Sequence, residues 1–166
     1  MKVLIFGPSG AGKSFVADAW KKQGINAFDD NEIAGLSNWY DRDGKKIPLP
    51  ATADEAMANG YAFLWSKKAM IRFLALHPTA YVFGGSGNVS EVFDLFDQVW
   101  FLDVDPVLQL ERLKSPLRPT PQLDSNAEGA VVWGQWLRKL ALAKGIPFIA
   151  ANQTPAAIYE FVLRSV

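Results

Sequence analysis

The chain has 166 residues, of which 49% are apolar and six are Trp, which is material for one domain around a substantial core. Seventeen basic residues balance seventeen acidic ones, so no global field draws the protein to nucleic acid or to anionic lipid. Cysteine is absent, which excludes disulfides and thiol catalysis, and no apolar run reaches the length of a signal-peptide core or a membrane span, so a cytoplasmic protein is expected.

In chain order, Lys2 to Phe6 carries Val, Leu, Ile and Phe without interruption, which suits a strand buried on both faces. It runs into GPSGAGKS, residues 7 to 14, which has the full phosphate-loop spacing: Gly7, four residues, then Gly12, Lys13 and Ser14. Phe15, Val16, Ala19 and Trp20 then recur at helical spacing, so a helix should begin near Lys13. In such a loop the backbone of Gly7, Pro8, Ser9, Gly10, Ala11 and Gly12 turns its N–H groups inward, and the helix N-terminus adds its positive dipole end. Lys13 reaches the β- and γ-phosphates, and the Ser14 hydroxyl is a ligand for Mg²⁺. A mere glycine-rich turn is the rival reading, and strand, loop and helix together argue against it. The expected cofactors are ATP and Mg²⁺.

A second strand is expected at Ile25 to Phe28, ending at Asp29 and Asp30. Residues 35 to 52 read as irregular, with Pro48, Pro50 and the turn-like Asp41-Arg42-Asp43-Gly44. Ala53 to Leu76 reads as helical, as two helices meeting near Asn59-Gly60. Ala80 to Phe83 is a third strand running into Gly84-Gly85-Ser86-Gly87, followed by a short helix from Ser90 to Phe96. Val99 to Leu102 is a fourth strand, and Pro106 begins a helix that runs to Leu113. Residues 115 to 126 hold three prolines and read as a loop, placed to act as a lid over the site. A long helix is expected from Ala127 to Ala143, a fifth strand from Ile146 to Ile149, and a last helix capped by Thr154 with Pro155 in its first turn.

Apolar strands alternating with helices predict an α/β fold, a five-stranded parallel sheet of order 2-3-1-4-5 with helices on both faces. Ligands in such sheets bind beyond the carboxyl ends of the strands, which makes every strand end a candidate site. The third strand ends at Gly84-Gly85 without an acid, so a carboxylate serving the metal must come from elsewhere, and Asp29 and Asp30 at the neighbouring strand end are the candidates. One of the two should face the phosphate loop. Asp29 is expected as the base for the phosphate acceptor, also steering Mg²⁺ through water, and Asp30 as the metal-side acid. An adjacent Asp pair is also a common helix cap, and Asp103 and Asp105 read as structural caps of that kind.

The order of these pieces resembles the phosphate-loop kinases of small molecules and nucleotides, the group that holds adenylate, shikimate, gluconate and dephospho-coenzyme A kinases. GINAFDDNEIA looks like the second-strand segment of dephospho-coenzyme A kinases, with Asp29 in the first acidic position and Asn31 replacing the second. YVFGGSGN is similar to the glycine-rich third-strand end of shikimate kinases, where backbone comes close to the acceptor. QLERLKSPLRP resembles the passage from helix to lid, which implies Arg112 before the lid and Arg118, a catalytic cation, within it. The resemblance also implies that adenine lies near Asn152, Gln153 and Thr154. Residues 35 to 78 match none of the group's substrate-binding regions, so the acceptor stays open.

Other signals carry less. Asp41-Arg42-Asp43-Gly44 has the spacing of a GTPase D-x-x-G, yet no apolar strand precedes it and no Asn-Lys-x-Asp guanine motif exists. His77 reads as a helix C-cap and Trp133 and Trp136 as core, whereas Trp39 and Tyr40 in a polar segment are candidates to line an acceptor pocket. The expected protein is one domain spanning 1–166, with an acceptor-binding insertion over about 31–78 and a lid over about 114–126. It transfers the γ-phosphate of ATP to a small-molecule acceptor, the rival being a nucleotide-binding ATPase or regulatory protein with no acceptor. Nucleic acid and membrane are not expected as partners, and oligomeric state is not legible.

Overall fold

Alternate residues of each central strand feed two different cores, and that alternation sets the architecture. In this computed structural model, which describes residues 1–115 and 127–166, Val3, Ile5, Phe83 and Leu102 pack on one face of a sheet with Val16, Ala17 and Trp20 of a helix following the phosphate loop. Leu4, Phe6, Val82 and Phe101 pack on the opposite face with Met70, Leu74, Leu137 and Ala141. Strands buried on both faces are the reason the apolar runs are continuous.

The sheet is formed by β1 (Lys2–Phe6), β2 (Ala27–Asp29), β6 (Ala80–Gly84), β7 (Gln98–Asp103) and β8 (Phe148–Ala150), all parallel, in the order β2-β6-β1-β7-β8. Counted over these five strands alone, that is the expected order 2-3-1-4-5. Helices α1 (Lys13–Lys22) and α6 (Pro155–Arg164) cover the first face; α3 (Lys67–Leu76) and α5 (Ala127–Ala143) cover the second. The helix α4 (Pro106–Lys114) packs against α5 beside the phosphate loop. No helix among the described residues is long and apolar enough to cross a membrane.

Two strands start later than their apolar runs suggest, for a shared reason. Ile25 N–H closes the end of α1 on Trp20 O at 3.0 Å, and Ile146 N–H closes α5 on Ala141 O at 2.9 Å, each just after a glycine of positive φ. Both residues therefore finish a helix before the strand can begin. The segment expected as a helix at 90–96 is a 3₁₀ helix over Val89–Leu95.

The larger correction lies between residues 35 and 76. The stretch read as irregular contains β3 (Ser37–Tyr40) and β4 (Lys46–Ile47), and the helical reading of 53–76 resolves into α2 (Ala53–Asn59), β5 (Ala62–Trp65) and α3. These strands form a second, antiparallel sheet of order β4-β3-β5. Every residue of β3 is half-buried, so the strand shows no alternation of polar and apolar residues, and Ala62 to Trp65 is an apolar run too short to separate from a helix by period. The loop after β6 fastens this small sheet. Gly87 N–H donates to Phe63 O at 2.9 Å, and the Asn88 amide both accepts from Trp65 N–H at 2.8 Å and donates to Trp65 O at 3.0 Å.

Candidate active site

The phosphate loop leaves β1 at Gly7, whose N–H donates to Gly84 O at 3.2 Å. A Cβ on Gly7 would fall 2.8 Å from Leu102 O, so only glycine passes between β6 and β7 there. Gly10 (φ 83°) and Gly12 (φ 91°) take left-handed conformations, and Gly12 serves as the N-cap of α1 with no side-chain bond. Lys13 Nζ donates to Pro8 O at 2.7 Å, so its ammonium reaches back over the loop. Helix α1 begins at Lys13, as the sequence predicts.

Three carbonyls of the loop, those of Ser9, Gly10 and Ala11, find their donors on α4. Arg112 Nη1 donates to Ala11 O at 2.9 Å and more weakly to Gly10 O at 3.4 Å, while Nη2 donates to Ala151 O at 3.1 Å beyond β8. One turn earlier Gln109, only 1% exposed, donates from Nε2 to Ser9 O at 2.9 Å and to Ala130 O of α5 at 3.2 Å. Sequence reasoning missed Gln109, because a glutamine on a surface helix reads as solvated; its spacing of three from Arg112, which puts both on one helix face, was the available signal.

At the end of β2 the two acids take different partners. Asp29 accepts the Ser14 hydroxyl on Oδ2 at 2.5 Å, and its Oδ1 accepts from the Asn31 backbone at 3.1 Å and from Asn31 Nδ2 at 2.9 Å. Glu32, itself paired with Lys21, accepts the Asp29 N–H at 2.7 Å, which closes a capping box on the 3₁₀ turn Asp30–Glu32. Asp29 is thus both a cap and the partner of the phosphate-loop serine. Asp30 is buried beside it, its carboxyl in hydrogen-bond contact with that of Asp29, and Gly85 N–H donates to its Oδ2 at 3.3 Å. A Cβ on Gly84 would lie 2.5 Å from that oxygen, so the Asp30 carboxyl fills the space where a side chain of residue 84 would stand. A carboxyl from the turn after β2 thus lies beside the end of β6.

Electrostatics separates the pair further. Burial raises Asp30, and the neighbouring Asp29 charge and hydrogen bond add to it, so its carboxyl is pushed up to about 7 against the opposing pull of Lys13. Burial also works to raise Asp29, but hydrogen bonds from Ser14, Asp30 and the Asn31 backbone, together with the Lys13 charge, hold it below the usual carboxylate range. Near neutral pH Asp29 carries the charge of the pair, while Asp30 is poised between its protonated and ionised forms. Ser14 donates its hydrogen to Asp29, which leaves its oxygen lone pairs for a cation, and a divalent ion there fits a site completed by phosphate oxygens and water.

The remaining candidates scatter. Thr154 accepts from Ala157 N–H at 3.2 Å as the α6 cap, and Asn152 lines a cleft of about 670 Å³ with Asp103, Gln135 and Arg138. Asp105 caps α4, and Asp103 pairs with Arg138 at 3.2 Å. His77 ends α3 with its ring against Phe28 and Phe73. Trp39 lies in β3 with its ring centroid 5.4 Å from Phe63, and Tyr40 is the next residue of that strand. The glycines after β6 serve packing: Gly85 lies against Gly7 O and the tip of Trp133, and Gly87 against Leu64 of β5. Arg118, and most of the segment expected as a lid, lie outside the described residues.

No family model matches the chain, and no curated protein matches it. Solved structures do. A shikimate kinase from Acinetobacter baumannii in complex with shikimate is 19% identical, with a TM-score of 0.58 over 98% of this chain and 93% of that one. A shikimate kinase from Aquifex aeolicus is 16% identical, with a TM-score of 0.56 over 99% and 95%. A gluconokinase from Sinorhizobium meliloti is 16% identical, with a TM-score of 0.52 over 95% and 86%. The chain carries the fold of the phosphate-loop kinases of small molecules.

Proposed function

We propose that the protein is an ATP-dependent phosphotransferase acting on a small-molecule acceptor. The observation that carries this reading is the pair of acids after β2: Asp29 is bonded to Ser14 of the phosphate loop, and Asp30 is buried beside it against Gly84 and Gly85. A nucleotide-binding site alone needs only the first.

The geometry favours the reverse of the roles expected from the sequence. Asp29 takes the metal side with Ser14, and Asp30 takes the acceptor side. Mg²⁺, when bound, supplies charge neutralisation at the phosphate oxygens. Lys13 and the loop N–H groups bind the β- and γ-phosphates, Arg112 steadies the loop from behind, and Asp29 fixes the Ser14 hydroxyl. Asp30 receives the proton from the acceptor hydroxyl as it attacks, and a carboxylate titrating near neutrality suits that task. The small sheet of β3, β4 and β5, joined to the β6 end through Gly87 and Asn88, is positioned to shape the acceptor pocket. Shikimate and gluconate kinases among the neighbours support a small hydroxylated acceptor of that general kind.

The test is ADP release from Mg·ATP across a panel of hydroxylated metabolites, nucleosides and nucleotides, with a no-acceptor control. Acceptor-dependent release that collapses in Asp30→Asn, with slow hydrolysis little changed, is the expected result. Fast hydrolysis that no acceptor stimulates would make the protein an ATPase instead.

A further inference from the structure

Gln109 is one of four buried polar or charged residues among the described ones, with Asp29, Asp30 and Ser86, and no step above uses it. Its amide nitrogen bridges two carbonyls on separate elements, Ser9 O of the phosphate loop at 2.9 Å and Ala130 O of α5 at 3.2 Å. Two glycines make room for the junction. A Cβ on Gly10 would meet Gln109 Cγ at 3.1 Å and Leu113 Cγ at 3.0 Å, and one on Gly134 would meet Pro8 Cβ at 3.0 Å and Gln109 Nε2 at 3.3 Å. The loop and α5 are therefore in direct contact at Pro8–Gly134 and hydrogen-bonded through one side chain.

The next residue of α5 inward carries the contact across the site. Trp133 has its ring tip 3.3 Å from where a Cβ on Gly85 would stand, and Gly85 N–H is the donor to Asp30. Ser9, Gln109, Ala130, Trp133, Gly85 and Asp30 thus form one contiguous packed path from the nucleotide side to the acceptor side. A buried amide holding two carbonyls is costly to break, since each is then left without a partner.

We infer that Gln109 is a positioning residue that couples nucleotide binding in the phosphate loop to α5 and, through Trp133, to the Asp30 side of the site. The inference rests on the nucleotide reading of the loop. It implies that nucleotide and acceptor bind with positive cooperativity, because the first ligand orders the wall that the second must meet.

Hydrogen exchange of the full chain, with and without saturating Mg·ADP, tests it without a known acceptor. In the wild type, Mg·ADP should slow exchange at residues 7–14 and also across 130–137, the latter by about 5- to 10-fold, the ordinary size of a coupling between sites. In Gln109→Met, which keeps the volume and loses both donated bonds, protection should stay at 7–14 and vanish from 130–137. Gly134→Ala, whose Cβ crowds both Pro8 and the Gln109 amide, should weaken the same protection. A purely structural loss would raise exchange everywhere without changing where nucleotide protection travels. Distant protection undiminished in both variants overturns the inference, as does wild-type protection confined to 7–14, which leaves the nucleotide reading standing. Absence of protection at 7–14 in the wild type overturns both.

Discussion

The nucleotide side and the acceptor side of the sheet's carboxyl edge are held by different kinds of bond. Around the phosphate loop, backbone carbonyls are met by side-chain donors from a single helix: Gln109 and Arg112 satisfy Ser9, Gly10 and Ala11. Across β6, the small sheet is attached by one backbone bond and one asparagine, and it carries two buried polar atoms without a partner, Ser37 Oγ and Trp65 Nε1. The first arrangement is preorganised for one ligand feature, a phosphate chain. The second is held through few bonds, which on the proposed reading is the construction expected where specificity is set.

Four substitutions or titrations sharpen that contrast. Asp30→Asn strikes the acceptor side alone and should lower acceptor-dependent turnover by on the order of 10² to 10⁴, with nucleotide affinity nearly kept; equal loss of nucleotide binding would erase the distinction between the sides. Lys13→Ala strikes the nucleotide side, and by analogy with removing one preorganised donor it should cost about 10² to 10³ in turnover with weaker Mg·ATP binding by calorimetry. Unchanged turnover in that variant would remove the phosphate loop from the chemistry.

Gly84→Ala tests the seam between them. Its Cβ would lie 2.5 Å from Asp30 Oδ2 and 2.6 Å from Asp30 Cβ, so the fold should lose about 1–3 kcal/mol in denaturant unfolding, and the double variant with Asp30→Gly should recover part of it. No recovery would mean that Asp30 is not what fills the space.

The pH response should be smaller, because the two acids oppose each other. Asp30 is raised from 3.8 to about 7, so the folded protein binds more protons than the unfolded chain in that window. Its contribution is whole below the ordinary carboxylate range and is lost as pH rises towards 7. Asp29 is lowered, so its contribution is present above the ordinary range and is lost as pH falls through its folded value. In Asp30→Asn the thermal midpoint should therefore stop declining between pH 4 and 7 and keep only its acid-side fall. A decline as steep as in the wild type would assign the titration elsewhere.

What the sequence made legible follows the same division. Glycines with forced conformations, a fixed lysine and serine, and strands buried on both faces leave direct marks on residue choice, and the loop, the parallel sheet and the caps at Thr154 and Asp105 were readable from them. The small sheet left no such mark, since half-buried Ser37, Asn38, Trp39 and Tyr40 satisfy neither period. The roles of Asp29 and Asp30 were half legible: the end of the strand marks the pair, but Asp30 already belongs to the 3₁₀ turn, and only the Ser14 contact says which of the two bonds the loop. Gln109 was hidden because its role depends on three elements distant in sequence.

The small sheet also has a neck. Ser66 N–H donates to Leu36 O at 2.8 Å, and Ser37 pairs with Trp65 as the first rung of its ladder, so the chain leaves and re-enters the main body at adjacent points. An excursion whose ends already touch adds little closure entropy however long it grows, because that cost rises only with the logarithm of length. Residues 37–65 are in this sense a cassette: they can lengthen, shorten or be exchanged while Leu36 and Ser66 keep their bond and the phosphate loop keeps its shape.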